Sequence, residues 1–222
     1  MLCLSSSVNA ALIGLENGDA DERAALVGTL TSMGHTVTTT IDGNLDLIIT
    51  APGNGTSGFP GVPYLQISDH GEDNISNAWE SLPEGTPVTI TIDGNHPILN
   101  GLSASWTTLG FWHYDTGSSD YVGWVNGIPG LADAVADGTT YNEVLAVSAN
   151  SADIYIGWNV YGPDATPNDL LLLNNSINFL LGENIKSETA AVPTMTTYGL
   201  ILTILAMFAV AGHRLRAARR PR

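Results

Sequence analysis

Ser68, Asp69 and His70 follow directly on the apolar run Tyr64-Leu65-Gln66-Ile67, and they come nearest to a nucleophile with a base beside it. A serine hydroxyl attacks only when a base takes its proton, so a hydrolase would need His70, or the more distant His113, against the Ser68 oxygen. Ser68 and His70 are too close in sequence for that geometry to follow, and a serine at a strand end also serves as a cap. A second group, Asp69, His70, Glu72 and Asp73, has ligand types for a divalent cation, as do Asp19, Asp21 and Glu22. Neither follows the EF-hand spacing, and acids gather at helix starts without any metal, so no metal site is expected. Trp106, Phe111, Trp112, Tyr114, Tyr121 and Trp124 crowd one stretch. Trp106, Trp112 and Trp124 would make a carbohydrate-binding platform if exposed, and the filling of an irregular core if buried. The Gly-rich run Ala51–Gly61 lacks the Gly-Lys-Ser/Thr ending of a phosphate loop, and no cofactor is expected. His96, ahead of Pro97, reads as structural.

Several elements must hold these residues in place. Ala11–Leu15 is a short apolar strand, and a helix follows from about Asp21 to Met33, acidic in its first turn and stopped by Gly34. His35–Ile41, Leu45–Thr50 and Pro63–Ile67 read as further strands, a rhythm that points to an open parallel α/β sheet. The second half is less regular. Val88–Ile92, Val144–Ser148 and Ile154–Trp158 are strands, hairpins or a long excursion occupy Trp106–Trp124, and Asn168–Leu181 is a closing amphipathic helix.

Charge divides the chain. Of 22 acidic and 7 basic residues, all the acids and only Arg23 and Lys186 precede Val192, which gives that part a charge of −20 (2 − 22). Such a surface repels phosphate backbones, which excludes nucleic acid as a partner class. Cys3 is the only cysteine, so no intrachain disulfide exists and the fold rests on packing. Residues 1–10 read as the remnant of a signal peptide, with Val8-Asn9-Ala10 as the cleavage site and a true start further upstream. Residues 11–182 form the globular domain, and 183–191 are a small, polar linker.

The end of the chain is of another kind. Tyr198–Gly212 holds no charged residue and would span roughly 22 Å as a helix; counted from Met195 it reaches roughly 27 Å, near the hydrocarbon thickness of a bilayer. Arg214, Arg216, Arg219 and Arg220 follow as a basic stop on the cytoplasmic side, which places the domain outside the cytoplasm as a single-pass membrane protein.

Two resemblances accompany this reading. Val192-Pro193-Thr194-Met195, two residues, then Tyr198-Gly199, an apolar helix and an arginine-rich end, resembles the IPTL-CTERM protein-sorting domain. That family has Ile, Leu and Trp where this chain has Val192, Met195 and Tyr198. The resemblance implies an exosortase-type membrane protease as partner, cleavage near the motif and delivery to the cell surface or extracellular matrix, where polysaccharide becomes a candidate ligand. Residues 61–68, 96–102 and 154–159, with the last helix, resemble the class I glutamine amidotransferase-like superfamily, in particular its ThuA-like branch. This implies a flavodoxin-like, mostly parallel sheet with flanking helices. It also implies a cysteine where Ser68 stands and a His-Pro-Glu where Trp158-Asn159-Val160-Tyr161 stands. With those groups replaced, the expectation is a non-catalytic binding or structural domain, Ser68 and His70 remaining the candidates for a serine hydrolase.

Overall fold

The computed structural model describes residues 10–16, 18, 20–50, 59–67, 77–112, 119–126 and 128–182. Ser68, His70, the sorting motif Val192–Gly199 and the arginine cluster lie outside the described residues, as do residues 1–9 of the leader and the linker. Among the described residues no helix is long and apolar enough to cross a membrane.

The first half forms β1 (Leu12–Glu16), α1 (Ala20–Ser32), β2 (Thr36–Thr38), β3 (Leu47–Thr50) and β4 (Tyr64–Ile67). The second half supplies β5 (Asn77–Pro83), β6 (Pro87–Ile92), β7 (Ser105–Leu109), β8 (Phe111–Trp112), β9 (Ser119–Val125), β10 (Gly130–Ala136), β11 (Thr139–Val147), β12 (Asp153–Ile156) and α2 (Pro167–Leu180). Nine strands pair in the order β2-β1-β3-β4-β12-β11-β10-β6-β7, and β5-β9-β8 make a separate three-stranded sheet. From β2 through β12 the pairings are parallel. From β12 to β7 they are antiparallel, so the sheet is mixed where a mostly parallel one was expected. The order β2-β1-β3-β4-β12 is the doubly wound, flavodoxin-like one, with β5 to β11 inserted in the chain between its fourth and fifth parallel strands.

Alternation along the parallel strands divides the core between two faces. Ile13, Leu15, Leu47, Ile49, Leu65, Ile67, Ile154 and Ile156 share one cluster with Leu26 and Leu30 of α1 and Leu172, Leu173 and Ile177 of α2. On the other face Ile48 and Tyr64 pack with Leu45, Ile41 and Leu12. Ile41 does not extend β2, which ends at Thr38: with Leu45 it folds over β1, where a Cβ on Gly14 would come within 2.8 Å of the Ile41 side chain.

The last helix is the best anchored element. Thr166 and Asp169 form a reciprocal capping box, with Pro167 in the first turn. Farther along, Asn175 donates to the carbonyls of Ile98 and Asn100 at 3.0 and 2.9 Å, holding the 3-10 turn Pro97–Leu99. His96 caps that turn through Nδ1 and stacks edge-on against Phe179, with ring centroids 4.7 Å apart, a structural role as its sequence position suggested.

Candidate functional site

In open α/β sheets, ligands bind beyond the carboxyl ends of the parallel strands. Here strand register brings Glu16, Thr50, Gln66 and Tyr155 into one row across β1, β3, β4 and β12 near those ends. All four are buried, and the Thr50 hydroxyl has no hydrogen-bond partner among the described residues. A row of polar side chains on an otherwise apolar face costs stability wherever a group is unsatisfied, so this edge is where the fold departs from pure packing.

Beside the edge, a cleft of about 270 Å³ opens between the start of α1 and the segment after β12, lined by Asp21, Glu22, Ala25, Asn159, Tyr161 and Asp164 among others. Arg23 turns back from α1 to donate to the Gly18 carbonyl at 2.8 Å. An adjoining cleft of about 230 Å³ shares Asn159 and Asp164 and reaches Glu84 and Asp120. Asp120 is buried and accepts from the Gly85 amide at 2.8 Å. Burial raises its pKa, and the charges of Glu84 and Asp164 act in the same direction, against the backbone hydrogen bonds. Among the described residues no three His, Cys, Asp or Glu side chains stand close enough to hold a metal ion.

The segment Trp158–Tyr161, where the resemblance would have placed a base, is fixed for another purpose. Trp158 is fully buried, and its indole donates to Asp169 Oδ1 at 2.9 Å. Trp106 donates to the same oxygen at 2.8 Å, while Asp169 Oδ2 accepts from the Thr108 hydroxyl at 2.8 Å and from the Thr166 amide at 2.8 Å. Asn159 accepts from the Tyr161 amide at 3.2 Å. Asp169 is itself wholly buried, so this carboxylate joins β7, the segment after β12 and α2 into one network.

The aromatic cluster therefore divides. Trp106 is core, edge-on to Trp158 at 6.0 Å, and is withdrawn from any sugar platform. The Trp112 side chain lies outside the described residues. Trp124 is half-buried and lines a third groove, of about 380 Å³, with Glu80, Tyr141, Asn142 and Glu143. Trp79 is 45% exposed and stacks edge-on against Tyr121. Sequence reading passed over Trp79, Glu80, Tyr141 and Glu143. The signal available was the hairpin turn Asp137-Gly138, which joins β10 to β11.

No protein-family model matches this sequence, and no curated protein matches it. Among solved structures, the chain is similar to a GMP synthase subunit of Thermoplasma acidophilum, at 13% identity and a TM-score of 0.51 over 78% of this chain and 95% of that one. It is similar to a ThuA-like protein of Parabacteroides merdae, also at 13% identity and a TM-score of 0.51, over 84% of this chain and 94% of that one. The globular fold is amidotransferase-like. At this identity the likeness concerns the fold alone, and it agrees with what residues 61–68, 96–102 and 154–159 implied. Beside its parallel strands the chain carries the antiparallel β11-β10-β6-β7 and the β5-β9-β8 sheet, which meets the carboxyl end of β12 where the Gly123 amide donates to the Gly157 carbonyl at 2.8 Å.

Proposed function

We propose that this chain is an exported envelope protein, delivered by its C-terminal tail and processed there by an exosortase-type protease, whose amidotransferase-like domain binds a ligand without breaking bonds. The observation that carries the second part is the segment after β12. Its tryptophan is locked onto Asp169 and its asparagine onto the Tyr161 amide, so it offers no base to a nucleophile at the carboxyl end of β4. The first part rests on the tail itself: the Val192–Gly199 motif, the apolar run and the terminal arginines in that order, behind residues 1–191 of charge −20 (2 − 22).

Two measurements test the two parts. Mass spectrometry of the C-terminal peptide from the host's envelope and medium fractions should find an end between Val192 and Tyr198; an end at Arg222 would reduce the tail to a plain anchor. A serine-reactive phosphonate should leave the wild type unlabelled. Labelling that disappears in Ser68→Ala would instead make the domain a serine hydrolase, with His70 or His113 as its base.

A further inference from the structure

We propose that the groove between β5, the end of β9 and β11 is a subsite for an uncharged sugar ring, with Trp124 as the stacking surface. The inference rests on the reading of the domain as a binding module and names its ligand class.

The groove's volume of about 380 Å³ falls within the range of about 300–1,000 Å³ usual for small-ligand sites. One wall is aromatic. Trp124 leans on Tyr141 with ring centroids 5.3 Å apart and planes tilted by 37°. Tyr141 is buried, with Glu80 of β5 and Thr139 of its own strand acting on its hydroxyl, so the platform behind Trp124 is flanked from β5 and β11. Apart from Val125, the rest of the lining is polar: Glu80, Asn126, Thr139, Thr140, Asn142 and Glu143.

The backbone at Glu143 gives this wall a direction. Its φ of 62° lies in the left-handed region, which suits glycine and which other residues seldom adopt. It sits where the β10–β11 pairing slips register between Ala132 and Ala134, close to Gly130, where a Cβ would come within 2.6 Å of the Glu143 Cα. The Glu143 amide is held by Asp133 Oδ1 at 3.0 Å. A bulge of this kind re-aims a side chain, and strained residues of this kind gather at functional sites. Here it sets a carboxylate in the groove.

A pyranose fits this chemistry. Its C–H face stacks on an indole, and its hydroxyls donate to carboxylates while pairing with side-chain amides. Uronates and phosphates find no cation in the lining and meet Glu80 and Glu143. A purely apolar ligand would strand the polar groups.

The test is isothermal titration of the full chain, held in a zwitterionic detergent, with uncharged pentasaccharides of glucose, galactose, mannose and N-acetylglucosamine. At least one should bind, and Trp124→Ala should weaken it tenfold or more. Asn142→Ala, at an exposed position, should weaken it about threefold, and it decides alone if circular dichroism shows Trp124→Ala unfolded. Trp79→Ala, whose side chain leaves the opposite face of the small sheet, should bind as the wild type does. Silence of all four sugars, or wild-type affinity in Trp124→Ala and Asn142→Ala, would overturn the proposal. So would tighter binding of a galacturonate pentamer, or of a lysine pentapeptide drawn by the acids and the indole. A flat titration removes the sugar and leaves envelope delivery standing, because delivery is read from the C-terminal peptide.

Discussion

Asp169 ties β7, the segment after β12 and α2 together. With its side chain gone, two indole N–H groups and the Thr108 hydroxyl lose their acceptor inside the core, and the helix loses its capping box. Unsatisfied buried donors cost about 1–3 kcal/mol each and a lost cap about 1 kcal/mol, partly relieved by relaxation. Asp169→Ala should therefore lower unfolding free energy by about 4 kcal/mol in urea titration, while Asp169→Asn, which keeps one acceptor oxygen, should lose about half as much. Equal losses would mean that the carboxylate acts through its charge rather than through its acceptors. Glu143 predicts the reverse direction. Glu143→Gly relieves a left-handed conformation and should stabilise the protein by roughly 0.5–1 kcal/mol in the same titration, while weakening whatever the groove binds.

At the scale of elements, the crossing of the two sheets is set by glycine. Gly157 continues β12 at the point where a Cβ would run into the Gly123 carbonyl oxygen, and its own amide donates to Val144 at 2.8 Å. Gly157→Ala must push β9 away from β12, and should cost about 1–3 kcal/mol by overpacking. A loss under about 0.5 kcal/mol would show the small sheet to be loosely seated. This crossing also marks where sequence reading stopped. The parallel half was legible because Leu47–Thr50 and Tyr64–Ile67 are short, mostly apolar runs buried on both faces, and because Gly34, at φ 94°, ends α1 as its position implies. The final helix was legible as the amphipathic run Asn168–Leu181, while its cap, Thr166 with Asp169 three residues on, starts it one residue earlier at Pro167. The antiparallel extension was harder. Its strands carry Thr and Ser on the exposed side, as in the Thr89–Thr107 and Thr91–Ser105 pairs, and these blur the two-residue period. Asp137-Gly138, with φ of 46° and 76°, was a readable hairpin turn between β10 and β11. The Glu16–Thr50–Gln66 row was not readable, because it exists only once register is known. Nor was the separation of Trp106 from Trp124, since burial depends on which aromatic finds a partner such as Asp169.

On the scale of the whole molecule, excess negative charge sets the response to pH and salt. The residues before Val192 carry −20 (2 − 22), and self-repulsion of this kind weakens as added salt shortens the Debye length from about 30 Å at 0.01 M to about 8 Å at 0.15 M. Asp120 concentrates the effect at one place. Burial and the neighbouring Glu84 and Asp164 raise its folded pKa above the ordinary 3.8, so the folded state holds its proton more tightly than the unfolded chain does. The stability this contributes is complete below pH 3.8 and is lost as pH rises through the folded pKa. Asp153, raised chiefly by burial, follows the same sign. His96 runs the other way: burial lowers its pKa, so its contribution is complete above 6.5 and is lost as pH falls through the folded value. Asp120→Asn keeps an acceptor for the Gly85 amide and removes the buried charge. It should raise the urea midpoint at about pH 7.5, and the gain should shrink as pH falls toward 3.8 and also as salt rises at the higher pH. A gain independent of both would mean that the amide side chain simply packs better than the carboxylate it replaces, and the electrostatic account of this cleft would fall.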